Sequence, residues 1–257
     1  MARDDVFFAF PLSALAYPHS SSPNIAILDA ARRVARTIDA KGRMDEVKEY
    51  CERNGCDGYT TRKDAPAFIL GAKRLNVLLW DSVRDELEQL DRFDQWHRQQ
   101  ERSNTIVRVR EDLLWDAFKG RMPERRWRLL CGLFARLGAK KWAKITAGDL
   151  RRLSAGLASR EECERAFAGE IDAADYLTPD QIRHTVKALV ADSLVTRWTY
   201  NRGETFYAHP ARCKTTDDLA LAVLRHKAKR RGVDREKANT AEIKELEEWL
   251  KTEPQRI

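Results

Sequence analysis

Apolar residues recur at helical spacing along most of the chain, and β-type patterns are confined to a few short runs. Val6-Phe7-Phe8-Ala9-Phe10 is β-prone and is stopped by Pro11. Residues 18–24 carry turn chemistry. Over residues 25–38, Ile25, Ile27, Leu28, Ala31, Val34 and Ala35 repeat with a period near 3.6, which predicts a helix ended by Lys41-Gly42. A second helix is expected over about 44–54, stopping at Gly55, and a third starts at Thr60 or Thr61. Together these make an N-terminal helical domain, residues 1–74, with one strand at its front.

Residues 75–102 contain neither Gly nor Pro. Trp80, Val83, Leu87, Leu90 and then Phe93 or Asp94 follow a 3-4-3 spacing, which predicts one long helix of roughly 40 Å. Within residues 75–118 it reads as a connector packed on both neighbouring parts. The same stripe, used as a coiled-coil seam, would make a homodimer. Asp94 and His97 interrupt it, which favours the connector.

The densest signal lies further on. Pro123-Glu124 opens a helix with Trp127, Leu130, Phe134 and Leu137 on one face, ending near Gly138. The β-prone run Trp142-Ala143-Lys144-Ile145 follows. Thr146, with Asp149 three residues on, caps a helix that turns Leu150 and Leu153 inward. Ser159 and Glu162 have capping-box spacing and start an acidic helix. Thr178-Pro179-Asp180-Gln181 combines an N-cap threonine, a proline at the first helical position and a glutamine at the third. That helix buries Ile182, Val186, Leu189 and Val190 and turns Gln181, Arg183, His184 and Lys187 outward. Two β-rich runs, residues 194–200 and 205–208, then flank Asn201-Arg202-Gly203-Glu204 as a hairpin.

The order helix, strand, helix, helix, hairpin resembles the winged helix-turn-helix domain over residues 119–213. Residues 182–207 are similar to that family's recognition helix and wing, with Ala191-Asp192-Ser193-Leu194-Val195 at the break between them. One departure is that about 20 residues separate the second helix from the third, where the family has a short turn. The overall layout also resembles the plasmid and phage replication initiators built from two winged helices, although residues 25–73 offer no second wing. The expected fold class is therefore mainly α with a small β-hairpin: an N-terminal helical domain, a long connecting helix and a C-terminal winged helix. Residues 214–257 follow as helices with a basic segment.

This resemblance implies double-stranded DNA as partner. A helix face bearing Gln181, Arg183, His184 and Lys187 suits the major groove, where Arg pairs with guanine and Gln with adenine. Arg197, Asn201 and Arg202 of the hairpin reach backbone or minor groove, and Arg125, Arg126, Arg128, Lys140, Lys141 and Lys144 add phosphate contacts. Charge agrees, since residues 121–213 hold 17 basic and 11 acidic residues, most of the chain's surplus of +7. The tail adds Arg225, Lys227, Lys229, Arg230 and Arg231. The expected role is a transcriptional regulator or the replication initiator of a mobile element. The rival reading is a non-enzymatic adaptor that uses the winged helix to bind protein.

Composition narrows the alternatives. With 43% hydrophobic and 34% charged residues over 257 positions, a core is affordable and a membrane protein is not expected. No apolar block of about 20 residues exists, and the N-terminus makes a poor signal peptide. Five irregularly spaced cysteines fit reduced thiols in a cytoplasmic protein. No P-loop, Gly-x-Gly-x-x-Gly or His-Glu-x-x-His motif occurs, and no nucleophile has an identifiable base, so no enzymatic activity, cofactor or metal is expected. Cys51, Cys56, His209 and Cys213 lack the Cys-x-x-Cys spacing of a zinc site.

Overall fold

The computed structural model describes residues 7–56, 62–77, 83–200 and 203–230, with 228–230 as backbone alone. In chain order the elements are β1 (Phe7–Pro11), α1 (Ser22–Ala35), α2 (Met44–Asn54), α3 (Ala65–Arg74), α4 (Val83–Gln99), β2 (Ile106–Arg110), α5 (Glu111–Phe118) and α6 (Glu124–Leu137). They continue with β3 (Trp142–Lys144), α7 (Ala147–Ser154), α8 (Arg160–Phe167), α9 (Pro179–Ala191), β4 (Thr196–Tyr200), β5 (Glu204–Ala208) and α10 (Thr216–Arg230). Among the described residues the protein is mainly helical with two small antiparallel sheets. It forms two compact units, Met1–Gly138 with Ala147–Val186 and Ala139–Thr146 with Lys187–Ile257.

In the first unit β1 pairs with β2, setting Phe8 opposite Val109 and Phe10 opposite Val107. All four side chains are buried, while Arg108 between the valines is exposed. The alternation Ile106-Val107-Arg108-Val109-Arg110 is a strand signal that lies inside the stretch read as connector. Trp127 of α6 joins three parts of this core. Its ring stacks on Phe10 at 5.7 Å, and its Nε1 donates to Ser22 Oγ at the start of α1 at 3.0 Å. Helix α3 lies so close to α1 that a Cβ on Gly71 would overlap the Ala31 carbonyl oxygen.

The long helix expected over residues 75–102 is shorter. Helix α3 ends at Arg74, and Asn76 adopts a left-handed conformation with φ +53°. The Val77 amide then donates to Ala72 O at 2.9 Å and the Asn76 amide to Lys73 O at 3.0 Å, the paired bonds of a Schellman stop. Asn tolerates this conformation without a glycine. Helix α4 ends the same way at Glu101, φ +49°, where the Arg102 amide donates to His97 O. The stripe Val83, Leu87, Leu90 and Phe93 is buried within the chain itself. Trp80 lies outside the described residues.

The stop at Glu101 turns Arg102 inward, where it is 5% exposed. Its guanidinium donates to Gly156 O at 2.6 Å and Asp172 O at 2.8 Å, and lies over the Trp96 ring at 5.6 Å. Arg128 of α6, expected to meet phosphate, is 6% exposed and instead donates to Ser154 O at 2.8 Å and to Asp175 O. Burial pushes both guanidinium pKa values down. Four backbone carbonyls thus hold the insertion between α7 and α9. The insertion's own buried Glu162 accepts from the Ser103 and Ala158 amides, each at 2.7 Å. The Ser159 cap of α8 forms as expected, accepting from the Glu162 amide at 3.0 Å. Glu162's carboxylate, however, leaves the capping box to bind those two amides. The inserted helix therefore folds onto the first unit, and α9 still starts at Pro179.

In the second unit the sheet order is β3-β5-β4. Thr196 and Trp198 of β4 and Phe206 and Ala208 of β5 are buried on one side, Trp198 opposite Phe206. Leu219, Ala220 and Val223 of α10 pack on that face. The last helix expected near the C-terminus lies outside the described residues. Val190 of α9, expected inward, is 36% exposed.

Two substitutions test this packing by denaturant unfolding. Arg128→Lys keeps the buried charge and loses one carbonyl bond, so it is expected to cost about 1.5–3 kcal/mol. Gly71→Ala forces α1 and α3 apart and is expected to cost about 1–3 kcal/mol. Wild-type stability in either variant would refute the corresponding contact.

Candidate nucleic-acid interface

Helix α9 begins with a complete capping box. The Gln181 amide donates to Thr178 Oγ1 at 3.2 Å, and the Thr178 amide donates to Gln181 Oε1 at 2.9 Å. Gln181 is half-buried and its carbonyl oxygen is engaged, so of the four outward residues it is the least free to read a base. Arg183, His184 and Lys187 are exposed on the same helix, with Arg183 and Lys187 one turn apart. Arg183 is paired with Asp180 at 3.1 Å, both side chains largely in water. The helix ends at Ser193, φ +55°, where the Leu194 amide donates to Leu189 O at 2.9 Å. This lies at the break expected between helix and hairpin.

On the hairpin, Arg197 and Thr199 are exposed on the side of β4 away from α10, and Arg197 stands opposite Tyr207. Asn201 and Arg202 lie outside the described residues. Lys140 and Lys141 are exposed before β3. Lys144 on β3 is exposed and bound to Glu204 Oε1 at 2.5 Å. Glu204 Oε2 holds Lys227 of α10 at 2.6 Å, and Lys227 sits over the Tyr200 ring at 4.4 Å. One carboxylate thus spaces two lysines from β3 and α10 on the second unit. The link between Lys227 and the sheet was not foreseen, because a basic helix end in the sequence carries no sign of which strand it packs on. Arg125 is exposed and Arg126 half-buried on the first turn of α6.

Charge is divided unequally between the units. Residues 1–138 and 147–186 contain 29 basic and 29 acidic residues, a net of zero. The remaining 79 residues contain 18 and 11, which is the whole surplus of +7. Fixed positive charge concentrated on a small part of a chain attracts polyanions.

Catalytic arrangements fare less well. Ser13 Oγ lies 2.8 Å from His97 Nδ1, and His97 Nε2 lies 3.3 Å from Asn104 Oδ1. This has the connectivity of a nucleophile, base and orienting group. Ser13 is 2% exposed, however, so a substrate carbonyl has no approach to it. Among the described residues no group of three or more His, Cys, Asp or Glu could hold a metal ion. None of the described helices is long and apolar enough to cross a membrane. A groove of about 490 Å³ on the first unit is lined by Phe7, Phe8 and Val34 with Arg33, Arg74 and Glu111. Arg33 there is already bound to the buried Asp29 at 2.5 Å. No family model matches the chain, and neither does any curated protein or solved structure.

Hydrogen bonds from Lys144 and Lys227 hold the Glu204 carboxyl down at about 2. Because this pKa is depressed, the clip contributes fully above the ordinary carboxylate range and is lost as pH falls towards 2. Carboxylate-detected NMR should show Glu204 titrating near that value, and an ordinary midpoint near 4.3 would refute the clip.

Proposed function

We propose that the protein binds double-stranded DNA through a winged helix-turn-helix spanning residues 119–213, and that it selects its site with α9. The observation that carries the reading is the strand order β3-β5-β4 combined with the chain order α6, β3, α7, α8, α9, β4, β5, in which α8 is the inserted helix. It joins the strand after the first helix to the returning arm of the hairpin, and an exposed cationic helix leads directly into that hairpin. The charge surplus of residues 139–146 and 187–257 supports a polyanionic partner. The helical N-terminal part forms one compact unit with α6, α7 and the start of α9, and the biological role is a transcriptional regulator or the replication initiator of a mobile element.

In this reading the base edges fall to Arg183, His184 and Lys187, while Gln181 stays in its cap. Arg183 leaves Asp180 at little cost, since an exposed pair of this kind is worth about 0.3–0.5 kcal/mol. Arg197, Lys140, Lys141, Lys144, Arg125 and Arg126 serve phosphates, which fix register without choosing sequence. The rival reading as a protein-binding adaptor has one observation in its favour. Phe167 at the end of α8 is 73% exposed and stacked on Tyr176 at 5.5 Å, an apolar projection of the kind that protein partners bury.

Fluorescence anisotropy on a random duplex of about 30 base pairs, at about 50 and 200 mM salt, separates the two. Each phosphate contact contributes about 0.9 to the slope of log affinity against log salt. The Arg183/Lys187/Arg197 triple alanine is expected to lower that slope by about 1, through the phosphate contact of Arg197, and to weaken binding at both salts. Absent or salt-insensitive binding at low salt would overturn the duplex reading and leave the adaptor.

A further inference from the structure

Helix α2 ends in a left-handed turn at Gly55, φ +60°, and the Cys56 amide donates to the Cys51 carbonyl at 3.2 Å. This closure folds the residue after the glycine back over the last helical turn, where the two side chains commonly touch. Here both side chains are thiols, one on the last turn of α2 and the other on the residue folded back over it. A disulfide needs Cα atoms about 4.4–6.8 Å apart, a range into which an amide–carbonyl contact between the same two residues draws them. Cys51 is buried and Cys56 half-buried, so one thiol meets solvent and the other waits behind it. The remaining cysteines are placed differently: Cys131 is buried within α6, Cys213 is buried beneath α10, and Cys163 Sγ lies 3.6 Å from the Tyr176 hydroxyl.

We propose that Cys51 and Cys56 form a reversible redox site, which takes a peroxide or a low-molecular-weight disulfide as oxidant and closes into an intramolecular disulfide across the last turn of α2. With hydrogen peroxide, the Cys56 thiolate attacks the O–O bond. One oxygen is transferred to give a sulfenic acid, and the other leaves as water after taking a proton. The Cys51 sulfur then attacks the Cys56 sulfur; the S–S bond forms as the S–O bond breaks, and the hydroxyl leaves with the Cys51 proton as a second water. Two thiols lose two electrons and two protons in total, and the peroxide is reduced to two waters. With glutathione disulfide, the same order passes through a mixed disulfide on Cys56 and releases two glutathione thiols. Burial and the adjacent Cys56 thiol push Cys51 up to about 12. Cys51 is buried behind Cys56, so in this scheme the external oxidant meets Cys56 and Cys51 resolves what forms there. The site adjoins the packing of α2 on α3, because the neighbouring Tyr50 hydroxyl donates to the Val77 carbonyl.

Trypsin cleaves after Arg53, between the two cysteines, so the test is direct. The full chain is oxidised with hydrogen peroxide or glutathione disulfide, alkylated, digested without reductant and analysed by mass spectrometry. The expected product links peptides 49–53 and 54–62, is two hydrogens lighter than their sum and separates on reduction. Cys56→Ser should abolish it, and Cys51→Ser should leave a sulfenic acid or glutathione adduct on Cys56. Circular dichroism checks that both variants fold. Alkylation of both cysteines after oxidation, a stable adduct on wild-type Cys56 with Cys51 alkylated, or a link between chains would each overturn the proposal.

Discussion

Two guanidinium groups buried without a carboxylate at hydrogen-bonding distance govern how the first unit is built. A charge taken out of water costs several kcal/mol unless its donors are satisfied. Arg102 and Arg128 meet most of that demand with the carbonyls of Gly156, Asp172, Ser154 and Asp175, while Arg102 Nε is buried without a partner. All four acceptors belong to residues 154–175, so that segment has to stay in place for the charges to remain solvated by protein. Glu162 adds the nearby negative charge while binding two backbone amides. An insertion that reads in the sequence as an interruption is therefore one of the most tightly specified parts of the unit. The peptide leading into Thr178 and Pro179 starts from a fixed point.

Helix termination is the second recurring constraint. Helices α3, α4 and α9 stop at left-handed Asn76, Glu101 and Ser193, each with the amide of the following residue turned back onto the final turn. The first two bound the Gly- and Pro-free residues 75–102 and cut short the helix expected there. The same geometry at Gly55 brings Cys51 and Cys56 together, so one backbone device both ends a helix and creates a pair of adjacent thiols.

Electrostatics divides the molecule along the same lines as packing. The first unit is neutral and spends its charges on internal ion pairs such as Asp29 with Arg32 and Arg33. The second carries the entire surplus, and Glu204 holds Lys144 and Lys227 beside each other on it. Under the proposed DNA-binding reading, the neutral unit supplies a scaffold and the basic unit supplies attraction.

Much of this was legible in the residues. The caps at Ser159 and Thr178, the strand at β1, the hairpin of β4 and β5, and the inward faces of α6 and α7 follow from local rules that need only neighbours in sequence. The candidate site was legible as a set of charged positions, but the use of each was not. Gln181 fits a capping box and a base contact equally well on paper, and its bond to the Thr178 amide shows that it makes the first. Arg128 looks like Arg125 and Arg126 in the sequence, yet helical periodicity leaves open whether a long cationic side chain reaches water or a buried carbonyl. Sequence by itself determined the helix caps, the turn signals and the charge content, because these depend on bonds spanning three to five residues. Tertiary structure alone decided the pairing of β1 with β2 across about a hundred residues, the burial of two arginines and the fold of the insertion, because each depends on acceptors that meet only once the chain has closed.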